Sequence, residues 1–147
     1  MEIMSDKKSL FQAIDAQRDT LCSMADQIFD NPEYEGEEVF ASGLLTDYLI
    51  ANGFDVQMGV GGFKTAFRAT YSHGEGGPVL GILCEYDALR NLGHGCGHHM
   101  QGPGCLGAAV ALKNLDTDKP FQLVVYGTPA EETFGSKVQM IQNGCFK

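Results

Sequence analysis

Apolar residues recur at helical spacing through the first third of the chain. Their spacing predicts one helix from Ser5 to Asp30, ended by Asn31-Pro32, and a second from about Gly36 to Ala51. The expected apolar face of the second helix consists of Val39, Phe40, Leu44, Leu45, Tyr48 and Leu49. Both helices are therefore expected to pack against another layer of structure.

The pattern then changes to short, β-rich segments separated by glycine-rich turns. The expected elements are the strands 54–60, 64–71, 79–84 and 121–126 and the helices 102–115 and 135–143. The first two strands flank Gly61-Gly62 and predict a hairpin. Val79–Cys84 and Phe121–Tyr126 are continuous apolar runs, typical of strands that are buried on both faces. The order α, α, β, β, β, α, β, α indicates an α/β fold with helices layered on a sheet.

Composition narrows the class of protein. The chain has 147 residues, of which 44 % are hydrophobic, so it is long enough for one domain with a core. Its net charge of −9 argues against a nucleic-acid partner, which would need a basic face. No apolar run approaches the roughly 20 residues that span a bilayer, and residues 1–10 lack a signal-peptide core, so a cytoplasmic protein is expected. Five widely spread cysteines do not suggest a disulfide framework.

Two groups of polar residues follow the two apolar strands. The first group, after Val79–Cys84, contains Glu85, Asp87, His94, Cys96, His98 and His99. The second, after Phe121–Tyr126, is Glu131-Glu132. Sites in open α/β sheets form beyond the carboxyl ends of the strands, so we expect both groups to face one crevice.

The histidines and Cys96 of the first group suggest a metal site. Imidazole nitrogen and thiolate sulfur are the usual ligands of zinc-like ions. In an extended segment, Cys96-Gly97-His98 would place both candidate ligands on the same side. The alternative is a glycine-rich loop with solvent-exposed histidines.

Carboxylates supply the other half of the expected chemistry. After a buried strand and Pro129, one member of Glu131-Glu132 can bind a metal while its neighbour takes a proton from water. The alternative is a solvated surface pair. Asp87 is a candidate catalytic-site residue that orients a metal ligand, and the alternative for it is a turn or cap residue.

Three motifs together resemble the N-terminal part of the twentieth metallopeptidase family, in the branch of aminobenzoyl-glutamate hydrolase subunits, amidohydrolases and dipeptidases. They are Glu85-Tyr86-Asp87-Ala88-Leu89, Gly93-His94-Gly95-Cys96-Gly97-His98 and Gly127-Thr128-Pro129-Ala130-Glu131-Glu132. The resemblance implies a zinc-peptidase α/β/α sandwich with a mixed sheet. It also implies hydrolysis of the amide bond of an N-acyl amino acid or a dipeptide, with two divalent metal ions.

The same resemblance assigns roles to individual residues. Cys96 would bridge the two ions, His98 and Glu132 would be ligands, and Glu131 would be the general base. A thiolate ligand favours zinc, while manganese, cobalt and nickel remain open. The chain departs from the branch at Arg90, where proline is usual, and at His99, where asparagine or aspartate is usual.

Length is the largest departure from the family. Its members carry two further histidine ligands and a lid and dimerisation domain, whereas this chain has no histidine after Glu132. Residues 1–147 are therefore expected to be the N-terminal part of the catalytic domain, with the lid and C-terminal part absent. An incomplete sheet would leave an exposed edge, through which we expect a homo-oligomer.

Three hypotheses follow from the absence of the two further histidine ligands. The chain is a truncated or split amidohydrolase acting on small amides, or a catalytically inactive remnant that serves as a binding or assembly module. A third alternative is a one-metal protein that uses Cys96, His98, Glu132 and His94. None of the three involves nucleic acid or a membrane.

Overall fold

The computed structural model describes residues 2–146, with side chains from Lys7 onward. The elements in chain order are α1 (Glu2–Asp15), α2 (Arg18–Asp30), α3 (Val39–Ala51), β1 (Asp55–Met58), a 3-10 turn (Val60–Gly62), β2 (Phe67–His73), β3 (Val79–Cys84), α4 (His98–Lys113), β4 (Phe121–Gly127) and α5 (Ser136–Gln142). The α/β class and the four strands expected from the sequence are confirmed. No helix among the described residues has the length and apolar character to cross a bilayer.

The four strands form one mixed sheet in the order β1-β2-β4-β3. The hairpin of β1 and β2 is antiparallel, as expected, and β2 pairs antiparallel with β4. The last two strands, β3 and β4, are parallel, and their register brings Cys84 opposite Gly127. Because these two strands end side by side, the loops that follow them leave the sheet at the same edge.

The main core lies where α2, α3 and α4 pack against one another and against the sheet. Its fully buried members include Ile28, Leu45, Leu49, Phe67, Leu106, Leu123 and Val125. At the carboxyl end of β4, Gly127 leaves room for the Phe67 ring, since a Cβ at this glycine would lie 2.3 Å from a ring carbon. The core therefore reaches the edge of the sheet at which β3 and β4 end.

The prediction of one helix from Ser5 to Asp30 is wrong. The segment divides into α1 and α2 at Ala16 and Gln17. The Gln17 amide donates to the Ala13 carbonyl at 2.8 Å and accepts a hydrogen bond from the Tyr48 hydroxyl of α3. Both α1 and α2 pack on α4. The break therefore lets the chain turn while both helices stay in contact with α4.

Two other helix boundaries differ from expectation. The helix α3 begins at Val39 rather than Gly36, because the Glu33 carboxylate accepts the N–H groups of Phe40 and Ala41, both at 2.9 Å. Val39 and Phe40 are exposed, and the face that α3 buries consists of Ala41, Ser42, Leu45, Thr46 and Leu49. The helix α4 begins at His98, four residues before the predicted Gly102.

The expectation that β3 is buried on both faces is also wrong. Among the described strands, only β4 pairs with it, so β3 forms one edge of the sheet. Its apolar side chains are largely exposed, with Val79 at 61 % and Leu80 and Leu83 also open to solvent. An edge strand with unpaired backbone groups and apolar side chains is a surface suited to association.

The packing of α4 predicts the effect of truncating one of its side chains. Leu106→Ala should destabilise the fold by about 2–5 kcal/mol, because Leu106 is fully buried at the centre of the core. Urea denaturation followed by circular dichroism measures the change. Leu92→Ala is the control, since Leu92 is 67 % exposed and its truncation should leave the midpoint nearly unchanged. Equal losses in the two variants would contradict this assignment of the core.

Candidate metal centre

The polar residues singled out from the sequence lie together at the carboxyl ends of β3 and β4. Residues 85–87 directly follow β3, residues 128–132 directly follow β4, and His98 is the first residue of α4. The expectation that Cys96-Gly97-His98 is extended is wrong. Gly97 has a left-handed conformation (φ 87°), which turns the chain into the helix that begins at His98.

The imidazole of His98 is at the centre of the site. Its Nδ1 lies 2.9 Å from Oδ1 of Asp87, and its Nε2 lies 3.2 Å from a Glu85 carboxylate oxygen and 3.7 Å from a Glu132 oxygen. His98 is 8 % exposed and Asp87 only 1 %. The ring is therefore held on one side and faces two carboxylates on the other.

Asp87 connects the ring of His98 to the second loop. Its other oxygen accepts the backbone N–H of Glu132 at 3.0 Å. Burial opposes ionisation of Asp87, but the hydrogen bonds from His98 and Glu132 lower its pKa overall. The hydrogen bond to Asp87 raises the pKa of His98, against the opposing effect of burial.

A set of ligand atoms suited to a cation surrounds His98. Glu85, His98 and Glu131 each offer one ligand atom, and these atoms lie within 4.8 Å of one another. Nitrogen and carboxylate oxygen in this arrangement fit a divalent ion such as zinc. Lys137 of α5 pairs with Glu85, and its ammonium lies 4.0 Å from a Glu131 oxygen. The positive charge of Lys137 thus partly balances these carboxylates.

Cys96 reaches the same site through Glu132. The thiol is exposed, and its hydrogen bond with the Glu132 carboxylate raises the pKa of Cys96 to about 11. Glu132 in turn faces Nε2 of His98. Of the three residues expected to be ligands, His98 belongs to the group of close ligand atoms found among the described residues, whereas Cys96 and Glu132 do not. Cys96 and the other four cysteines are all free thiols.

The remaining histidines of the motif lie beside an aromatic ring. His94 is buried, its ring centroid lies 5.3 Å from that of His99, and His99 packs 5.0 Å from Phe29. Burial lowers the pKa of His94. His94 is not part of the group of close ligand atoms found among the described residues.

Arg90, which departs from the family pattern, has a local partner. Its guanidinium donates to both carboxylate oxygens of Glu35, at 2.6 and 2.7 Å, and lies over the ring of Tyr34. This pairing lowers the pKa of Glu35. The pair therefore connects the loop after Asp87 to the segment before α3.

Three residues of the site were not assigned a role from the sequence. Glu85 was noted only as a member of the first group. Its spacing from Asp87 is a signal that could have assigned it to the site, because alternate residues of an extended segment share one side. Gln101 accepts the Glu85 N–H at 2.7 Å and donates to its carboxylate at 3.0 Å. Lys137 and Gln101 lie on helices, and nothing in their local sequence separates them from ordinary surface residues.

Comparison with known proteins finds relatives by sequence but no matching family model. The chain is 35 % identical to one of the subunits of p-aminobenzoyl-glutamate hydrolase from Escherichia coli, over 91 % of this chain and 31 % of that protein. It is 36 % identical to the Xaa-Arg dipeptidase of Mus musculus, over 96 % of this chain and 36 % of that protein. The chain thus spans about a third of the length of the curated relatives it matches.

A solved structure supports the fold. A dinuclear metal-binding peptidase of the M20 family from Bacillus subtilis superposes with a TM-score of 0.71 at 19 % identity, over 90 % of this chain and 41 % of that chain. At this identity the likeness shows the fold alone. The relatives found by sequence indicate the class of protein. In sequence and in fold, the chain resembles the N-terminal part of the amidohydrolases and dipeptidases of the M20 metallopeptidase family.

Proposed function

We propose that this chain contributes part of the active site of a metal-dependent amidohydrolase that cleaves N-acyl amino acids or dipeptides. The observation that carries the proposal is the arrangement around His98. Asp87 holds Nδ1, so Nε2 faces the carboxylates of Glu85 and Glu132, with Glu131 beside them. An imidazole fixed by a buried carboxylate is a common arrangement for a metal ligand.

Each residue has a distinct role in this proposal. Cys96, His98 and Glu132 hold the metal, and a bound divalent ion supplies Lewis-acid polarisation of the scissile carbonyl. Glu131 takes a proton from the attacking water and passes it to the leaving nitrogen. Asp87 touches His98 and the Glu132 backbone, so it positions the ligands. A thiolate ligand favours zinc over manganese, cobalt or nickel.

Residues 1–147 are proposed to be the N-terminal part of the catalytic domain. Three protein ligands are fewer than a dinuclear site requires. Further ligands would come from sequence beyond this chain or from a partner subunit. The substrate class is proposed by analogy with the relatives, whose names specify aminobenzoyl-glutamate and Xaa-Arg dipeptides.

Metal titration tests the assignment of ligands. Glu132→Gln should weaken binding of zinc by about tenfold or more, because it removes one ligand. Isothermal titration calorimetry of the purified chain measures the affinity and the number of ions. Glu75→Gln, in an exposed turn far from the site, is the control and should bind zinc like the wild type. Weaker binding in Glu85→Gln and Glu131→Gln but not in Glu132→Gln would contradict the proposed set.

Where hydrolysis is measurable, alone or with a complementing partner, Glu131→Gln should lower kcat by about 10²–10⁴-fold. Its affinity for zinc should change little, because Glu131 is assigned to proton transfer. Unchanged turnover in this variant would show that another group is the base.

The contact between Asp87 and His98 predicts a pH dependence. His98 has a raised pKa in the fold, so its contribution to stability is complete below about pH 6.5 and is lost as the pH rises through the folded value. Asp87→Asn removes the main cause of the raised pKa of His98. The variant should therefore lose more stability at pH 6 than at pH 9, by about 1.5–3 kcal/mol for a hydrogen bond with a charged group.

Urea denaturation of chelator-treated protein at the two pH values measures this difference. Asp55→Asn on β1 is the control, because Asp55 is exposed and remote from His98. If Asp87→Asn loses the same free energy of unfolding at both pH values, Asp87 does not stabilise the protonated form of His98.

A second candidate function is that of an assembly module, and the exposed edge of β3 favours it. Val79, Leu80 and Leu83 present apolar side chains along a strand whose outer backbone groups have no strand partner among the described residues. We propose that this edge associates with a second copy of the chain. Such association does not require a complete metal site.

Sedimentation across micromolar concentrations tests this second candidate. The wild type should self-associate, and Leu83→Lys should weaken association by about tenfold, because a charged lysine disfavours edge pairing. Leu92→Lys is the control, since Leu92 is also an exposed leucine, at 67 % against 43 % for Leu83, but lies in the loop before His94. A wild type that stays monomeric, or equal effects of both substitutions, would rule out the β3 edge.

A further inference from the structure

Glu38 is a fully buried carboxylate outside the metal centre. It lies at the N-terminal end of α3 and is 0 % exposed. One of its oxygens accepts the N–H groups of Gly36 at 2.8 Å and Ala130 at 3.3 Å, and the other accepts the hydroxyl of Thr65 at 3.1 Å. A buried carboxylate is costly unless its oxygens are occupied, and here donors from three segments occupy them.

The bond to Ala130 connects Glu38 to the loop that carries the glutamate pair. Ala130 has a positive φ of 52°, a conformation that favours glycine, and it directly precedes Glu131. Its carbonyl accepts the N–H groups of Phe134 and Gly135 at 3.2 and 3.1 Å. A strained residue of this kind persists only when its surroundings hold it. Its N–H is held by Glu38, and its carbonyl closes the turn.

Two buried carboxylates thus hold the backbone on either side of Glu131. Glu38 accepts the N–H of Ala130, and Asp87 accepts the N–H of Glu132. We propose that Glu38 is a positioning residue, which fixes the strained turn at Ala130 and so sets the directions in which Glu131 and Glu132 leave the backbone. This inference rests on the proposed function, in which those two side chains serve as base and ligand.

Hydrogen bonding, rather than negative charge, accounts for this role. Burial raises the pKa of Glu38. The Thr65 hydroxyl also lies 3.2 Å from the Gly36 carbonyl, so it can donate there and accept from a neutral group at position 38. The Tyr86 hydroxyl donates to the Thr65 carbonyl at 2.8 Å and keeps Thr65 in place. Glutamine at position 38 would therefore satisfy the same partners.

Glu33 provides a matched control for Glu38. It precedes the same helix, and its carboxylate accepts two backbone N–H groups, those of Phe40 and Ala41. Those bonds hold the start of α3 and do not involve the loop at residues 129–135. Removing the Glu33 side chain therefore weakens the helix start without releasing Ala130.

Hydrogen–deuterium exchange of the chelator-treated chain, read by mass spectrometry over residues 128–135, tests the inference without requiring bound metal. Glu38→Ala should speed exchange there by about tenfold, as expected for the loss of a buried hydrogen bond. Glu38→Gln should restore the wild-type rate. Glu33→Ala should speed exchange at residues 39–42 and leave 128–135 unchanged. If Glu38→Ala does not fold, Glu38→Asp replaces it, because the shorter side chain cannot reach Ala130.

Unchanged exchange at residues 128–135 in the Glu38 variant, or an equal increase in Glu33→Ala, would overturn the inference. Zinc affinity then links the turn to the site. It should fall about tenfold in Glu38→Ala and recover in Glu38→Gln, while Glu33→Ala stays at the wild-type value. If the wild type binds no zinc, the proposed function fails, and the exchange data still decide whether Glu38 holds the loop. If zinc binds equally to all variants, Glu38 does not position the ligands.

Discussion

The site depends on a single buried carboxylate that bridges two strand ends. Asp87 follows β3, and its two oxygens bind the ring of His98 and the backbone N–H of Glu132 after β4. A buried carboxylate must have its oxygens occupied, so the fold keeps both partners in place. The orientation of the imidazole and the position of the glutamate loop are thereby set together.

The sheet explains why one carboxylate can reach both partners. Because β3 and β4 are parallel and end in register, at Cys84 and Gly127, the residues after them begin at neighbouring positions. Glu38, at the start of α3, also binds the glutamate loop, because its carboxylate accepts the N–H of Ala130. The loop that carries Glu131 is therefore held by two carboxylates that are far apart in the sequence.

The sequence located the two loops of the candidate site better than it located the helix break and the exposed edge of the sheet. Runs of apolar residues located β3 and β4, and the polar residues after them do meet, since strand ends determine where a crevice forms. A continuous apolar run does not distinguish a central strand from an edge strand, so the exposure of Val79 was missed. The break at Gln17 was missed because its partner, Tyr48, is remote in sequence. The role inferred for Glu38 likewise depends on contacts with Thr65 and Ala130 that no local pattern indicates.

X-ray absorption at the zinc edge tests the central claim most directly, because it identifies the ligand atoms themselves. With zinc bound by Cys96, His98 and Glu132, the spectrum should contain one sulfur at about 2.3 Å together with imidazole scattering and oxygen or nitrogen at about 2.0–2.2 Å. The sulfur signal should disappear in Cys96→Ser. A wild-type spectrum with oxygen and nitrogen alone would contradict the account and favour an ion held by Glu85, His98 and Glu131 instead.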